Sequence, residues 1–347
     1  MKSFVVPWKT SWLLLLLSSL VVSSNAHKSS RRTSHRVDIQ HSVTNINGIE
    51  LFVQESTSGR CQNSSTKSKY SKKETRGKNV PVLLIHGLTY SSHEFDVEYE
   101  SYSLVDSLLK DNGCRSVWLM DVAGYGRSGD VPVGLDISSD AAAVDLEIVV
   151  EYIRQQQQNS VGAATNTAVV DLVGWSWGTV TIARMVTRQP TWIRKIVLYA
   201  PLIRAFDGDP NSLSDFHENT WTHAASDFQL DAAGEIDYDI AEPGAVHQFL
   251  SNCWRCDENA SPNGGRFDLI EGSDVVLIEI TEDFPPTLMI GGSLDPLLYF
   301  DSIQEAFDQL PHPDESELVI LEGAGHILML EKDYHREFQR RINRFLQ

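Results

Sequence analysis

The chain has 347 residues, 41% of them hydrophobic, with 47 acidic against 29 basic side chains and a formal charge of −18. This is the composition of an ordinary globular protein, long enough for one large α/β domain with an insertion or for two modest domains. So acidic a surface repels nucleic acid and anionic membranes and suits neutral or cationic substrates better than phosphorylated ones, so no nucleic-acid partner is expected.

Lys2 and Lys9 precede an apolar run from Trp12 to Val22 and the small-residue site Ser24-Asn25-Ala26. That is the layout of a secretory signal peptide over residues 1–26, cleaved after Ala26, and it predicts a secreted or secretory-lumen protein. Its apolar run is short of the ~20 residues a membrane-spanning helix needs, so stable membrane insertion of the mature chain is not expected. Removing the segment, with its two lysines and no acid, takes the formal charge to −20. Sequons at Asn63 and Asn259 are compatible with glycosylation in such a compartment. The four cysteines, Cys61, Cys114, Cys253 and Cys256, are compatible with two disulfides, and Cys253-Trp254-Arg255-Cys256 is read as a structural bridge within an exposed loop.

Residues 27–36 are basic, polar and expected to be disordered. Val37–Val43 and Ile49–Gln54 alternate around Asn45-Ile46-Asn47-Gly48, which predicts an antiparallel hairpin, followed by a polar loop over 56–78. Val80–Ile85 reads as a central strand running into His86-Gly87-Leu88-Thr89. A helix is expected over Ser103–Lys110, a strand over Val117–Met120, and a second helix over Ser138–Gln157. The apolar run Ala168–Val173 predicts a buried strand and Thr179–Arg188 a helix, with Ile196–Tyr199 as the next strand. From Leu202 to Asp283 the pattern breaks into scattered aromatics, many acids and Pro/Gly interruptions, read as a largely helical insertion. The strand Thr287–Ile290, helix Phe300–Leu310, strand Leu318–Leu321 and helix Asp333–Phe345 complete the chain. Strands alternating with helices imply an α/β fold with a mostly parallel sheet covered on both faces. The core is expected over 27–201 and 284–347, with 202–283 as a cap.

The predicted strand at 168–173 meets the helix at 179–188 through Gly174-Trp175-Ser176-Trp177-Gly178. Gly-x-Ser-x-Gly in that context marks a nucleophile elbow, whose turn is too tight for side chains at the flanking glycines. Serine needs a base to take its proton, and the base needs a carboxylate to fix its tautomer. Catalytic groups of open α/β sheets gather at the carboxyl ends of the strands. After Ser176, Asp295 follows the strand ending at Ile290 and His326 follows the strand ending at Leu321. Asp207 and Asp209, after the strand ending at Tyr199, are the alternatives for the acid. His312 lies between prolines and His335 within the last helix, so neither competes with His326.

With these residues in that order, the chain resembles the α/β-hydrolase superfamily from Val37 to the C-terminus. The likeness rests on His86-Gly87 after a strand, Asp121-x-x-Gly124-x-Gly126-x-Ser128, the elbow, Gly-x-x-Asp295 and Gly325-His326. It implies Ser176 as nucleophile, His326 as general base and later acid, and Asp295 as its orienting carboxylate. The backbone N–H groups of Leu88 and Trp177 are then the oxyanion hole. It further implies that His86 is structural and that Asp121 ties down its own glycine loop, while Trp175 and Trp177 serve as pocket wall and packing. No cofactor and no metal is implied, and the partner is a small-molecule ester or acyl substrate.

Ser176 at the elbow sets the chain apart from haloalkane dehalogenases and epoxide hydrolases, which place aspartate there. Ser-Trp-Gly is similar to proline iminopeptidases, but His86-Gly87-Leu88-Thr89 replaces their Gly-Gly-Pro-Gly loop. Carbon–carbon hydrolases and cofactor-free haloperoxidases share the triad, and a receptor on the same scaffold is the alternative from another class. The expectation is a secreted, capped serine hydrolase acting on carboxylic esters.

Overall fold

The computed structural model describes residues 36–59, 80–111, 114–161, 168–257 and 260–347. The expected signal segment, both sequon asparagines and Cys61 lie outside them.

The described elements run β1 (Arg36–Thr44), β2 (Glu50–Ser58), β3 (Val82–Ile85), α1 (Leu104–Asp111), β4 (Val117–Met120), α2 (Ser139–Val161), β5 (Val170–Trp175), α3 (Trp177–Arg188) and β6 (Ile193–Tyr199). There follow β7 (Phe216–Glu218), α4 (Trp221–Ala225), α5 (Pro243–Cys256), β8 (Ala260–Pro262), α6 (Gly264–Leu269), β9 (Thr287–Gly292), α7 (Phe300–Asp308), β10 (Glu317–Leu321) and α8 (His335–Phe345). Eight strands form one sheet in the order β1-β2-β4-β3-β5-β6-β9-β10. Within this sheet only the β1–β2 and β2–β4 pairings are antiparallel.

Every residue of β3, β4, β5 and β9 is buried, which is why these strands read as mainly apolar runs: a strand covered on both faces has no polar side to alternate with, and the exception in β5, Asp171, is a buried carboxylate paired with Arg194. The edge strands β1 and β10 are half-open and more mixed. Arg36, assigned from sequence to the polar leader, instead opens β1 and pairs with Asp96 at 2.7 Å.

Chain order places the site. From β3 the chain moves to β4 on one side, then crosses through α2 to β5 on the other side of β3, so the strand order reverses at β3. Ligands of open α/β sheets sit beyond the carboxyl ends at such a point. The parallel register Ile85↔Gly174 sets His86-Gly87 beside Trp175-Ser176, and Leu321↔Gly292 brings the loops after β9 and β10 to the same edge of the sheet.

Between β6 and β9 the largely helical expectation holds in part. Helices α4, α5 and α6 are joined by an antiparallel ladder of β7 and β8 that pairs His217 with Ser261. Trp221 and Trp254, both exposed, stack with ring centroids 4.9 Å apart. The expected Cys253–Cys256 bridge is corrected: both cysteines carry free thiols and lie on α5, not in a loop. Burial pushes both thiols above the ordinary cysteine pKa, so each is held in its protonated form.

The elbow glycines are fixed by space. A Cβ on Gly178 would stand 2.4 Å from the Ile85 carbonyl oxygen and 2.7 Å from that of His86, and one on Gly174 would stand 2.6 Å from the Gly178 oxygen. These obstacles are backbone and cannot swing aside. Gly178→Ala is therefore expected to destabilise the fold by about 3 kcal/mol, the upper end of overpacking costs. Denaturant unfolding measures it, and a loss below about 0.5 kcal/mol would show that β3 and α3 are not packed this closely.

Candidate active site

Ser176 occupies the single-residue turn between β5 and α3, with φ 53° and ψ −119°. For a residue bearing a Cβ this backbone costs of order 1–3 kcal/mol and persists only where the surroundings impose it. The surroundings here are two adjacent strands: the Ser176 N–H donates to the Tyr199 carbonyl at 2.9 Å, and the helix begins at the next residue. The serine is thereby lifted above the sheet edge.

Ser176 lines a cavity of about 160 Å³ together with Gly87, Leu88, Thr89, Trp175 and His326, while His223, Asp227 and Arg266 enter from the segment between β6 and β9. His326 Nδ1 donates to Asp295 Oδ2 at 2.7 Å, leaving Nε2 as the nitrogen able to accept a proton. The other Asp295 oxygen accepts the Leu297 N–H at 2.9 Å, so the carboxylate is held at both ends. Burial alone would lower the His326 pKa, but the Asp295 charge and hydrogen bond outweigh it and hold the imidazole above its ordinary value. The structure thus brings Ser176 and His326 to one cavity and joins Asp295 to His326. It leaves the rival acids elsewhere: Asp207 is exposed and accepts the Ser273 N–H, and Asp209 caps a short turn at Asn211. His335 is buried against Tyr102, 3.8 Å between ring centroids.

The loop after β3 is pinned from several sides. A Cβ on Gly87 would stand 3.3 Å from Ser176 Cβ, so this loop runs directly against the elbow. The Gly87 N–H donates to Glu94 Oε1 at 3.0 Å, and burial, aided by nearby acids, pushes that carboxyl well above its usual range. His86 bridges two loops: its Nε2 accepts the Val122 N–H at 3.1 Å, which leaves Nδ1–H to donate to the Gly87 carbonyl at 2.7 Å. Thr89 takes a positive φ of 80°, unusual for a β-branched residue, and its hydroxyl is met by His223 at 3.2 Å and by the Arg266 guanidinium. Asp121 accepts from the Arg127 backbone N–H at 3.0 Å, and its carbonyl accepts the Ser128 hydroxyl, which ties the Gly124–Ser128 turn to β4. Trp175 forms cavity wall and donates to the His326 carbonyl at 3.2 Å, whereas Trp177 is fully buried and donates to Ser139 at 2.8 Å.

Sequence reading missed Arg266, Asp227 and His223, none of which belongs to a periodic segment or a strand end. It also missed Glu331, whose Oε1 accepts the Gly325 N–H at 2.9 Å, next to His326. Burial pushes the Glu331 pKa up to about 7, and its second oxygen has no partner. A raised acid pKa means the folded state binds more protons, so this group's contribution to stability is full below about 4.5 and is lost as pH rises through about 7. Glu331→Gln is expected to remove that slope and stabilise the protein at pH 8 by up to about 3 kcal/mol. Melting curves from pH 5 to 8 check it, and an unchanged slope would contradict it. Among the described residues no group of three or more His, Cys, Asp or Glu is placed to hold a metal, and no helix is long and apolar enough to cross a membrane.

A mostly parallel eight-stranded sheet, a strained serine between its central strand and the following helix, and a histidine–aspartate pair at the same edge are the arrangement of an α/β hydrolase. The sequence model of the alpha/beta hydrolase family matches residues 82–339, and the chain belongs to that family. Solved structures with the same fold include the peroxisomal α/β-hydrolase Lpx1 of Saccharomyces cerevisiae (12% identity, 90% of this chain and 88% of that one, TM-score 0.59). They also include a thermophilic esterase of Thermogutta terrifontis (18%, 89% and 98%, TM-score 0.55). A third is the 2-hydroxy-6-oxo-6-phenylhexa-2,4-dienoate hydrolase of Rhodococcus sp. strain RHA1 (15%, 89% and 99%, TM-score 0.56).

Proposed function

We propose that the chain is a serine hydrolase that cleaves carboxylic esters through an acyl-enzyme. The observation that carries this reading is the cavity shared by Ser176 and His326, with Asp295 on the far nitrogen of the histidine. In the proposed cycle His326 Nε2 takes the Ser176 proton as Oγ attacks the ester carbonyl, and the developing oxyanion is met by the Leu88 and Trp177 N–H groups. His326 then gives its proton to the leaving alcohol. Water enters, His326 activates it, and attack on the acyl-enzyme releases the acid and restores Ser176. Asp295 stabilises the imidazolium without taking the proton.

Residues 202–283 act in this reading as a cap that closes the cavity over the core of 27–201 and 284–347, since His223, Asp227 and Arg266 face the serine from that segment. The leader over residues 1–26 is proposed to direct the chain into the secretory pathway, where Asn63 and Asn259 would be glycosylation sites.

A fluorophosphonate probe tests the reading. Wild-type protein is expected to gain one covalent adduct on the peptide containing Ser176, and the Ser176→Ala protein none. Folded wild-type protein that stays unlabelled under prolonged exposure would refute it.

A further inference from the structure

Arg266 lines the cavity from α6, alone among the lining residues in carrying a permanent positive charge. Its Nη1 donates to Asn263 Oδ1 at 3.1 Å and to Ser261 Oγ at 3.4 Å, and its Nη2 donates to Thr89 Oγ1. All three acceptors are neutral, and among the described residues no carboxylate lies within ion-pair distance of this guanidinium. Of its five N–H donors, two remain for another partner. Burial pulls its pKa below the ordinary arginine value, as expected of a cation stripped of water without an opposite charge in contact. Thr89 follows Leu88, whose N–H is the proposed oxyanion donor, so this charge is hydrogen-bonded to the neighbour of that donor in the cavity that holds Ser176. An arginine there that is bonded only to neutral acceptors, with Asp227 in the same cavity but not in ion-pair contact with it, keeps donors suited to the planar, two-oxygen geometry of a carboxylate.

We infer that Arg266 is a substrate-binding residue, and that the ester this site accepts carries a carboxylate held by its guanidinium; this rests on the ester-hydrolase reading above. A single carboxylate suits the site better than a phosphate. Asp227 also lines the cavity, and Arg266 is its one permanent cation, so a dianion would meet one positive charge and one opposing acid.

The test uses two matched pairs of esters. Mono-p-nitrophenyl succinate against p-nitrophenyl butanoate places the carboxylate on the acyl side, and the acetate ester of 4-hydroxybutanoate against butyl acetate places it on the alcohol side. In at least one pair, kcat/KM is expected to favour the charged ester by about tenfold or more, and Arg266→Gln to bring that ratio close to one, with Arg266→Lys between. No preference in either pair, or a ratio that Arg266→Gln leaves unchanged, overturns the inference. The second result would reassign Arg266 to holding Thr89 alone. Should none of the four esters turn over, the hydrolase reading falls while the binding question stays open to measurement. Calorimetry of the same four esters on the Ser176→Ala protein then decides it: tighter binding of a charged member, lost with Arg266→Gln, supports the carboxylate site, and equal binding within each pair refutes it.

Discussion

Ser176→Ala is expected to lower ester turnover by about 10⁴- to 10⁶-fold, the loss typical when the nucleophile of a serine–histidine–aspartate unit is removed. The fold should survive, because the Ser176 N–H bond to Tyr199 is a backbone interaction that alanine keeps. Alanine inherits the strained backbone of φ 53° and ψ −119°, so Ser176→Gly should be equally inactive yet more stable than Ser176→Ala by about 1 kcal/mol, glycine carrying no Cβ to clash. Initial rates on p-nitrophenyl butanoate with paired melting curves read both effects. A Ser176→Ala protein with more than a tenth of wild-type activity would remove the serine from the chemistry.

Asp295→Asn is expected to cost about 10³- to 10⁴-fold in kcat, since asparagine keeps the shape of the contact at 2.7 Å but no longer fixes the imidazole tautomer or stabilises its charged form. The pH profile supplies a signature of its own. The base must be neutral, so wild-type kcat/KM should fall as pH drops through the His326 pKa, which Asp295 holds above its ordinary value. Without the carboxylate the burial of His326 is opposed only by the charge of Asp227, the smallest of the influences on its pKa, so the acid limb of the residual activity should move to lower pH. The direction follows from which form is stabilised: removing the negative charge disfavours the imidazolium, and the neutral base survives to greater acidity. Asp207→Asn, which alters an exposed side chain bonded to Ser273, should change neither quantity. A limb that stays in place in Asp295→Asn would mean that another group sets the basicity of His326.

The elements legible in the sequence were those whose physics is local or periodic. The strands β3, β4, β5 and β9 showed as apolar runs because both their faces are covered, and α3 showed through its spacing. Ser176 stood out because two glycines must flank so tight a turn, and the backbone oxygens around Gly174 and Gly178 supply the reason. Asp295 and His326 were found by asking which acid and histidine follow strand ends, a rule of topology and not of local propensity. What the sequence concealed lies where neither rule applies. Arg266, Asp227 and His223 reach the cavity from a segment built of short helices and a three-residue ladder, too short to show alternation. Arg266 follows Asn263-Gly264-Gly265, which reads as a chain break; in the fold a Cβ on Gly265 would stand 2.6 Å from the Trp177 ring, so the glycine lets α6 pack against the elbow helix. The Cys253–Cys256 spacing suggested a bridge only while the segment was taken for a loop. Glu331 gave no signal, since it acts on the loop before His326 through a side-chain bond to the Gly325 N–H that no local pattern announces.

The most direct measurement is the mass of the protein during turnover. Wild-type chain quenched with acid in the steady state on p-nitrophenyl butanoate should include a fraction heavier by one butanoyl group, located on the peptide containing Ser176 and absent from Ser176→Ala. Continued ester hydrolysis with no adduct at any quench time, even in the Asp295→Asn protein, or an adduct on a different residue, would contradict the account.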